Sequence, residues 1–234
     1  MTQRNKGFTL IELTIVIVII GVIGLSIIIG KNIVRSYKVK MVASEFNHYK
    51  TQLNLFRSKY DATPGDFSDG WNYWNTNCAP TANICNGNND LNIDADEELM
   101  FWRHMFLANL VHEEYSGVLD GGKIISGKNI PLSKLGETSG HWIANDTVFN
   151  KTHNFIIFGA DEGNDTHYTG TLTPSEAYSL DKKMDDGKPD NGQIFAGDGV
   201  TLPAGSCVTS AIAPAEYVTD KGEKTCILYF TLKK

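Results

Sequence analysis

The feature that most limits what this chain can become is an apolar run from Leu10 to Ile29, twenty residues whose one ionisable member is Glu12. At 1.5 Å rise per residue, a helix of that length reaches across a bilayer core of roughly 30 Å. The run reads as a membrane segment. A carboxylate inside such a helix costs about 2.5–3.5 kcal/mol near the bilayer centre and less towards an end, so Glu12 is expected to have a partner. A removable secretion signal carries its apolar stretch before a small-residue cleavage site. Here the small residue Gly7 precedes the stretch, behind a short polar leader with Arg4 and Lys6. Cleavage after Gly7 would leave the helix on the mature chain.

Gly7-Phe8-Thr9-Leu10-Ile11-Glu12-Leu13 resembles the N-terminal processing and methylation motif of type IV pilins and of the pseudopilins of type II secretion. The resemblance implies a prepilin peptidase/methyltransferase that cuts between Gly7 and Phe8 and methylates the Phe8 amine. It makes Glu12 the fifth residue of the mature chain, meeting the Phe8 amine of a neighbouring subunit so that two buried opposite charges satisfy each other. It implies as partners that enzyme, other pilin or pseudopilin subunits in a homo- or hetero-polymer, and the membrane. The implied location is the bacterial inner membrane, single-pass with the head in the periplasm, and then a pilus or pseudopilus. An unrelated single-pass anchor is the bland alternative, and it has no need of Gly-Phe-Thr before an acid.

The formal net charge is −6, and it falls to −8 if the leader takes Arg4 and Lys6 with it. The chain offers no basic footprint for nucleic acid, so no nucleic-acid partner is expected. Lys31, Arg35, Lys38 and Lys40 form a local basic cluster, read as a solvated helix face rather than a lipid or DNA contact. Arg4 and Lys6 argue for a cytoplasmic N-terminus and the later cluster argues against it, and the family resemblance decides for leader inside and head outside. Cys78, Cys85, Cys207 and Cys226 make an even set that suits an oxidising compartment. Of three pairings, Cys78 with Cys85 and Cys207 with Cys226 are favoured, because each pair brackets a short loop lacking other cysteines. Zinc is the rival, but neither spacing is that of a structural zinc knuckle.

Beyond Gly30 the helix is expected to continue. Val34, Tyr37, Met41, Val42, Phe46, Tyr49, Leu53, Phe56 and Tyr60 recur at three- and four-residue steps as one apolar stripe. Arg35, Glu45, Asn47, Lys50 and Gln52 fill the polar positions. Asp61-Ala62-Thr63-Pro64-Gly65 ends the helix. The expected organisation is therefore a leader at 1–7, a transmembrane and polymerisation helix at 8–30, its amphipathic continuation at 31–60 and a globular head at 61–234.

The head opens with a polar, Asn-rich region from Asp66 to Asp96, in which Trp71, Tyr73 and Trp74 are read as pinning a loop to the core rather than as a recognition patch. Asn88, Asp90, Asn92, Asp94 and Asp96 alternate and offer the hard oxygen ligands calcium requires, although Ala95 stands where a turn glycine is needed and Glu97 and Glu98 lie too near to close the shell. The competing reading is helix capping by Asp94 or Asp96. No other cofactor is implied.

A second helix is expected over Ala95–Val111, burying Leu99, Phe101, Trp102, Met105, Phe106 and Leu110, with His104 and His112 as surface or satisfied core residues. Strands are expected near 140–144 and 154–159, the latter central, and over 225–232. Thr173 and Glu176 have capping-box spacing with Pro174 at the first turn of a third helix that stops at Asp185, before a turn into a strand at Ile194. No nucleophile elbow, phosphate loop or zinc-protease motif is present, so an enzyme is not expected. The fold class is α+β and pilin-like: a long N-terminal helix, membrane-spanning in its first half, packed on a mainly antiparallel sheet with additional helices. The function implied by the resemblance is a structural pilin or pseudopilin subunit, and the large head together with Ile29-Gly30 in place of the helix-bending proline common in that family favours a minor or tip component. The alternative is a membrane-tethered adhesin whose aromatic and Asp/Asn-rich loop does the binding.

Overall fold

A computed structural model describes residues 7–136, 138–161, 169–200 and 202–232, without the side chains of 25–29, 31, 32 and 38. The leader expected at 1–7 lies outside the described residues except for Gly7. The chain divides into two compact units, Met1–Lys38 and Val39–Lys234.

A single helix, α1 (Leu10–Tyr60), runs through the division. In the first unit Leu10, Ile11, Leu13, Ile15 to Ile20, Val22 and Ile23 are all exposed. An apolar helix surface that faces outward on every side cannot be satisfied by water. Among the described residues no helix is long and apolar enough to cross a membrane. The expected span runs on through 25–29, whose side chains lie outside the described residues.

The second unit is an α+β domain on a four-stranded antiparallel sheet of order β1-β2-β4-β3, with β1 at Ser139–Val148, β2 at Lys151–Ala160, β3 at Ile194–Asp198 and β4 at Cys226–Thr231. The central strands are continuous apolar runs, Phe155-Ile156-Ile157-Phe158 and Cys226-Ile227-Leu228-Tyr229-Phe230, because both faces are covered. Val42, Phe46, Leu53 and Phe56 of α1 are buried on one side, with the Phe46 and Phe230 rings stacked at 4.2 Å. Each such ring contributes about 1.5–3 kcal/mol by leaving water.

Two expectations about the α1 stripe fail. Val34 and Tyr37 are exposed, because they precede the stretch that packs on the sheet. Glu45, assigned to the polar face, is buried at 8% exposure. The helix stops where expected: Asp61 takes φ 51° and its N–H bonds to Arg57 O at 2.9 Å, a left-handed cap that an aspartate tolerates.

The second helix of the sequence reading is shorter than its apolar pattern. It is the fourth in the chain, α4 (Glu98–Leu107), after the short α2 (Gly70–Trp74) and α3 (Ala82–Cys85), neither of which was expected. Asn109 at φ 60° ends α4, with Leu110 N bonded to Met105 O and Asn109 N to Phe106 O, the paired bonds of a Schellman motif. Its N-cap is Glu97 rather than Asp94 or Asp96, and no side chain caps it. Helix α5 (Pro174–Met184) begins with the Thr173–Glu176 capping box. Strands β1 and β2 join through Phe149 and Asn150, both at positive φ (50° and 60°), the geometry of a type I′ hairpin. Phe149 holds this unfavourable conformation because its ring is buried near Phe195.

Candidate functional site

The residues expected to carry function lie in separate places, and the N-terminal group comes first. Gly7 and Phe8 are exposed, Phe8 at 83%. Thr9 and Glu12 form a capping box at the start of α1: Glu12 N donates to Thr9 Oγ1 at 3.3 Å, while Thr9 N donates to Glu12 Oε2 at 2.8 Å. The Thr-x-x-Glu spacing announces this, although the sequence reading assigned Glu12 only to intermolecular pairing. The box uses one carboxylate oxygen, and Oε1 has no partner among the described residues.

The second place is the turn-rich stretch between α1 and α4. Cys78 and Cys85 form a disulfide, as do Cys207 and Cys226. His104 of α4 stands against the first bridge, fully buried. Its Nδ1 accepts Gly65 N–H at 3.0 Å, and its Nε2 lies 2.9 Å from Cys85 O. An Nδ1 that accepts leaves the proton on Nε2, which then donates to that carbonyl. Cys78, Cys85 and His104 are near enough to share an ion, but the sulfurs are bonded to each other and the one imidazole nitrogen facing them carries hydrogen. This is a structural pin, not a zinc centre.

Burial pushes the His104 imidazole down to about 4, against the raising effect of the Cys85 carbonyl bond, with Arg103 nearby lowering it further. In the unfolded chain it titrates near 6.5. Stability is therefore lost as pH falls from about 6.5 to 4, because the unfolded state takes up a proton that the folded state refuses. Between pH 7 and pH 5 this loss is expected to be about 2 kcal/mol. Urea unfolding of the detergent-solubilised chain at both pH values, with and without His104→Gln, checks it; an equal pH slope in the two proteins refutes it.

Around this pin Phe56, Tyr60, Phe67, Tyr73 and Trp74 make a ring cluster, including Tyr60–Trp74 at 5.5 Å and Trp74–His104 at 5.1 Å. Half-buried Trp74 holds the loop to the core, Tyr73 touches the cluster while remaining 59% exposed, and the backbone N–H of Trp71 donates to Asn86 Oδ1 at 2.7 Å.

The five candidate calcium ligands do not all line one cleft. Asn88, Asp94 and Asp96 line a cleft of about 910 Å³, and Asn92 lines a separate one of about 400 Å³ beside Arg57 and Asn154. Asp90 accepts from Asn92 N at 2.8 Å and from Asn88 Nδ2 at 3.2 Å. Two acids that the sequence reading did not single out for this role organise the loop instead. Buried Asp66 accepts from Asp90 N and Leu91 N, and Glu97 accepts from Asn88 N and Asp94 N. Burial raises both carboxyls above their ordinary range, against the lowering effect of those amides.

The third place was missed. Glu45 of α1 meets His141 of β1, with Oε2 2.9 Å from His141 Nε2 and 2.7 Å from Ser133 Oγ, while Oε1 accepts Lys134 N–H at 2.7 Å. His141 is wholly buried, its ring edge-on to Tyr49 at 5.1 Å. Burial alone would raise the Glu45 carboxyl, but the bond from His141, its charge, and the Lys134 and Ser133 donors outweigh it and hold the group below its ordinary value. This locks α1 to the sheet. A cavity of about 360 Å³ opens beside it, between His48, Tyr49, His112 and Glu113.

Asp181 of α5 is also buried, accepting Tyr217 O–H at 2.7 Å and Gly187 N–H at 3.1 Å. Burial pushes its carboxyl up to about 7, against those two donors, and the charges of Asp186 and Asp185 add to the rise. Asp185 and Asp186 serve the turn that follows, as Gln193 N and Lys188 N donate to them.

Compared with known proteins, residues 2–28 match a family model described as the prokaryotic N-terminal methylation motif, the signature of type IV pilins and pseudopilins. No curated protein and no solved structure matches the chain.

Proposed function

We propose that the chain is a pilin-like structural subunit, made as an inner-membrane precursor, trimmed and methylated by a prepilin peptidase, and assembled into a type IV pilus or a type II secretion pseudopilus as a minor or tip component. The observation that carries this reading is the methylation motif at residues 2–28. Two features support it. The first unit of α1 exposes apolar side chains that need lipid or neighbouring helices, and Glu12 keeps one oxygen for an external donor after capping its own helix. The head lies in the periplasm, where two disulfides are stable. The reading needs no cofactor, and titration calorimetry with calcium chloride tests whether the 88–96 loop takes one.

The capping box makes the assembly role of Glu12 testable. Glutamine at the third helical position retains the cap but not the charge, whereas alanine loses both. If Glu12 neutralises a neighbour's amine, Glu12→Gln and Glu12→Ala both insert in the membrane and both lower filament yield at least about tenfold, since an unpaired buried charge costs more than 1.4 kcal/mol. Normal filaments from Glu12→Gln would reduce the residue to a cap.

A further inference from the structure

The 910 Å³ cleft has a character that the proposed function leaves unused. Leu99 and Met100 of α4 form an apolar floor, Ile84, Val118 and Leu119 stand exposed on its walls, and Asp94 and Asp96 stand exposed on its rim. No lysine, arginine or histidine lines it among the described residues. Negative charge is concentrated here: exposed Asp94 and Asp96 line the cleft, and exposed Asp90 lies close before them in the chain. Burial first, and then neighbouring acids, lift Glu97 above its ordinary value and Glu98 to about 8, so the exposed aspartates carry the charge of the rim. Like charges held together around an apolar depression favour a partner that is both basic and apolar.

The chain itself carries such a surface. On α1, Ile33, Tyr37 and Lys40 recur at the first, fifth and eighth positions of one helical face, with Val34 alongside. Ile33, Val34 and Tyr37 are 64%, 55% and 62% exposed, and Lys40 is exposed as well. An apolar ridge of one helix and an aromatic side chain suit a concave apolar floor, and the lysine that follows suits the acidic rim.

We propose that the cleft formed by the Cys78–Cys85 loop, the 94–97 turn and the 117–119 loop receives the Ile33–Tyr37–Lys40 face of α1 from a second copy of this chain. The inference rests on the filament-subunit reading and adds to it a specific head-to-helix contact. Glu97 and Asp66 shape the cleft by ordering its backbone, and Asp94 and Asp96 supply the charge that selects the occupant.

The test uses the full-length chain in detergent, with Val118→Cys in one preparation and Tyr37→Cys in the other, mixed and treated with a short bis-maleimide. Heterodimer is expected at least about fivefold above that from Val118→Cys mixed with Ile212→Cys, an exposed position elsewhere, because opposite charges orient the encounter. Asp94→Lys with Asp96→Lys should lower the yield about tenfold, the effect of 1.4 kcal/mol, and Lys40→Glu in the other chain should restore it. Equal yields from the two cysteine pairs overturn the contact. If sedimentation still shows self-association, the contact fails and the filament reading stands; absence of any self-association overturns the contact alone, because a minor or tip subunit assembles with other pilins. In cell envelopes, capture of Val118→Cys by a different protein alone makes the occupant another chain and also overturns the proposal.

Discussion

Gly7→Val is expected to leave the whole cellular pool of the chain untrimmed, its N-terminus at Met1 and its Phe8 amine unmethylated. A side-chain carbon built on Gly7 meets no atom within 4 Å, so the change does not disturb the chain around it. Nor does it alter the capping box of Thr9 and Glu12, which starts two residues later. The loss must then arise in the peptidase site, where the peptide bond between residues 7 and 8 has to approach the catalytic groups and a branched side chain beside it is excluded. A displacement of about 1 Å is enough to cost on the order of a hundredfold in rate. Mass spectrometry of the purified N-terminus reads the result directly. A chain beginning at methylated phenylalanine from this variant refutes the position of the cut, and an intact Met1 in the unsubstituted chain removes the subunit reading in favour of a tethered binding protein.

Much of the architecture was legible because it is written in periodicity. The 3.6-residue stripe from Val42 to Phe56 marks the buried side of α1, and the uninterrupted Phe155–Phe158 run marks a strand covered on both faces. The Thr173–Glu176 spacing announced the start of α5. What escaped has a physical reason in each case. Phe149-Asn150 is a two-residue hairpin turn without the usual glycine, stabilised by burial of the Phe149 ring, a tertiary effect that no local pattern contains. The end of α4 at Asn109 was hidden because Leu110 continues the apolar rhythm past the cap. Alternation of Asn and Asp from 88 to 96 offers ligand oxygens, but where they point depends on a loop geometry that no local pattern contains. Here Asp66, 24 residues before Asp90, sets that geometry through the backbone. Glu45 and His141 lie 96 residues apart, and a charged residue on an otherwise amphipathic helix is normally read as solvated.

That pair yields a large stability effect in the head. Glu45→Ala is expected to lower unfolding stability by about 3–5 kcal/mol, because the donors that this buried carboxylate satisfies are left unpaired at about 1–3 kcal/mol each. Three donors lose their acceptor at once: His141 Nε2, Ser133 Oγ and the Lys134 amide. His141 is already under-satisfied, with its buried Nδ1 lacking a hydrogen-bond partner among the described residues, so the substitution strands the whole imidazole in an apolar site. The carboxyl's lowered proton affinity adds a pH dependence of defined sign. Its ionisation-linked contribution is complete above the unfolded value of 4.5 and is lost as pH falls through the lower folded value, so the gap between wild type and variant narrows in acid. Denaturant unfolding of the full chain at pH 7 and pH 4 measures both effects; a loss under about 1 kcal/mol at pH 7 would show the pair to be an ordinary surface contact. Glu45→Leu combined with His141→Phe separates attachment from charge. Phenylalanine fits between Tyr49 and Phe158, which already flank the imidazole at 5.1 and 5.3 Å, so the double variant should recover part of the loss. Ser133 and Lys134 remain without an acceptor and limit that recovery. The pair is therefore an alignment device: it fixes which turn of α1 faces β1.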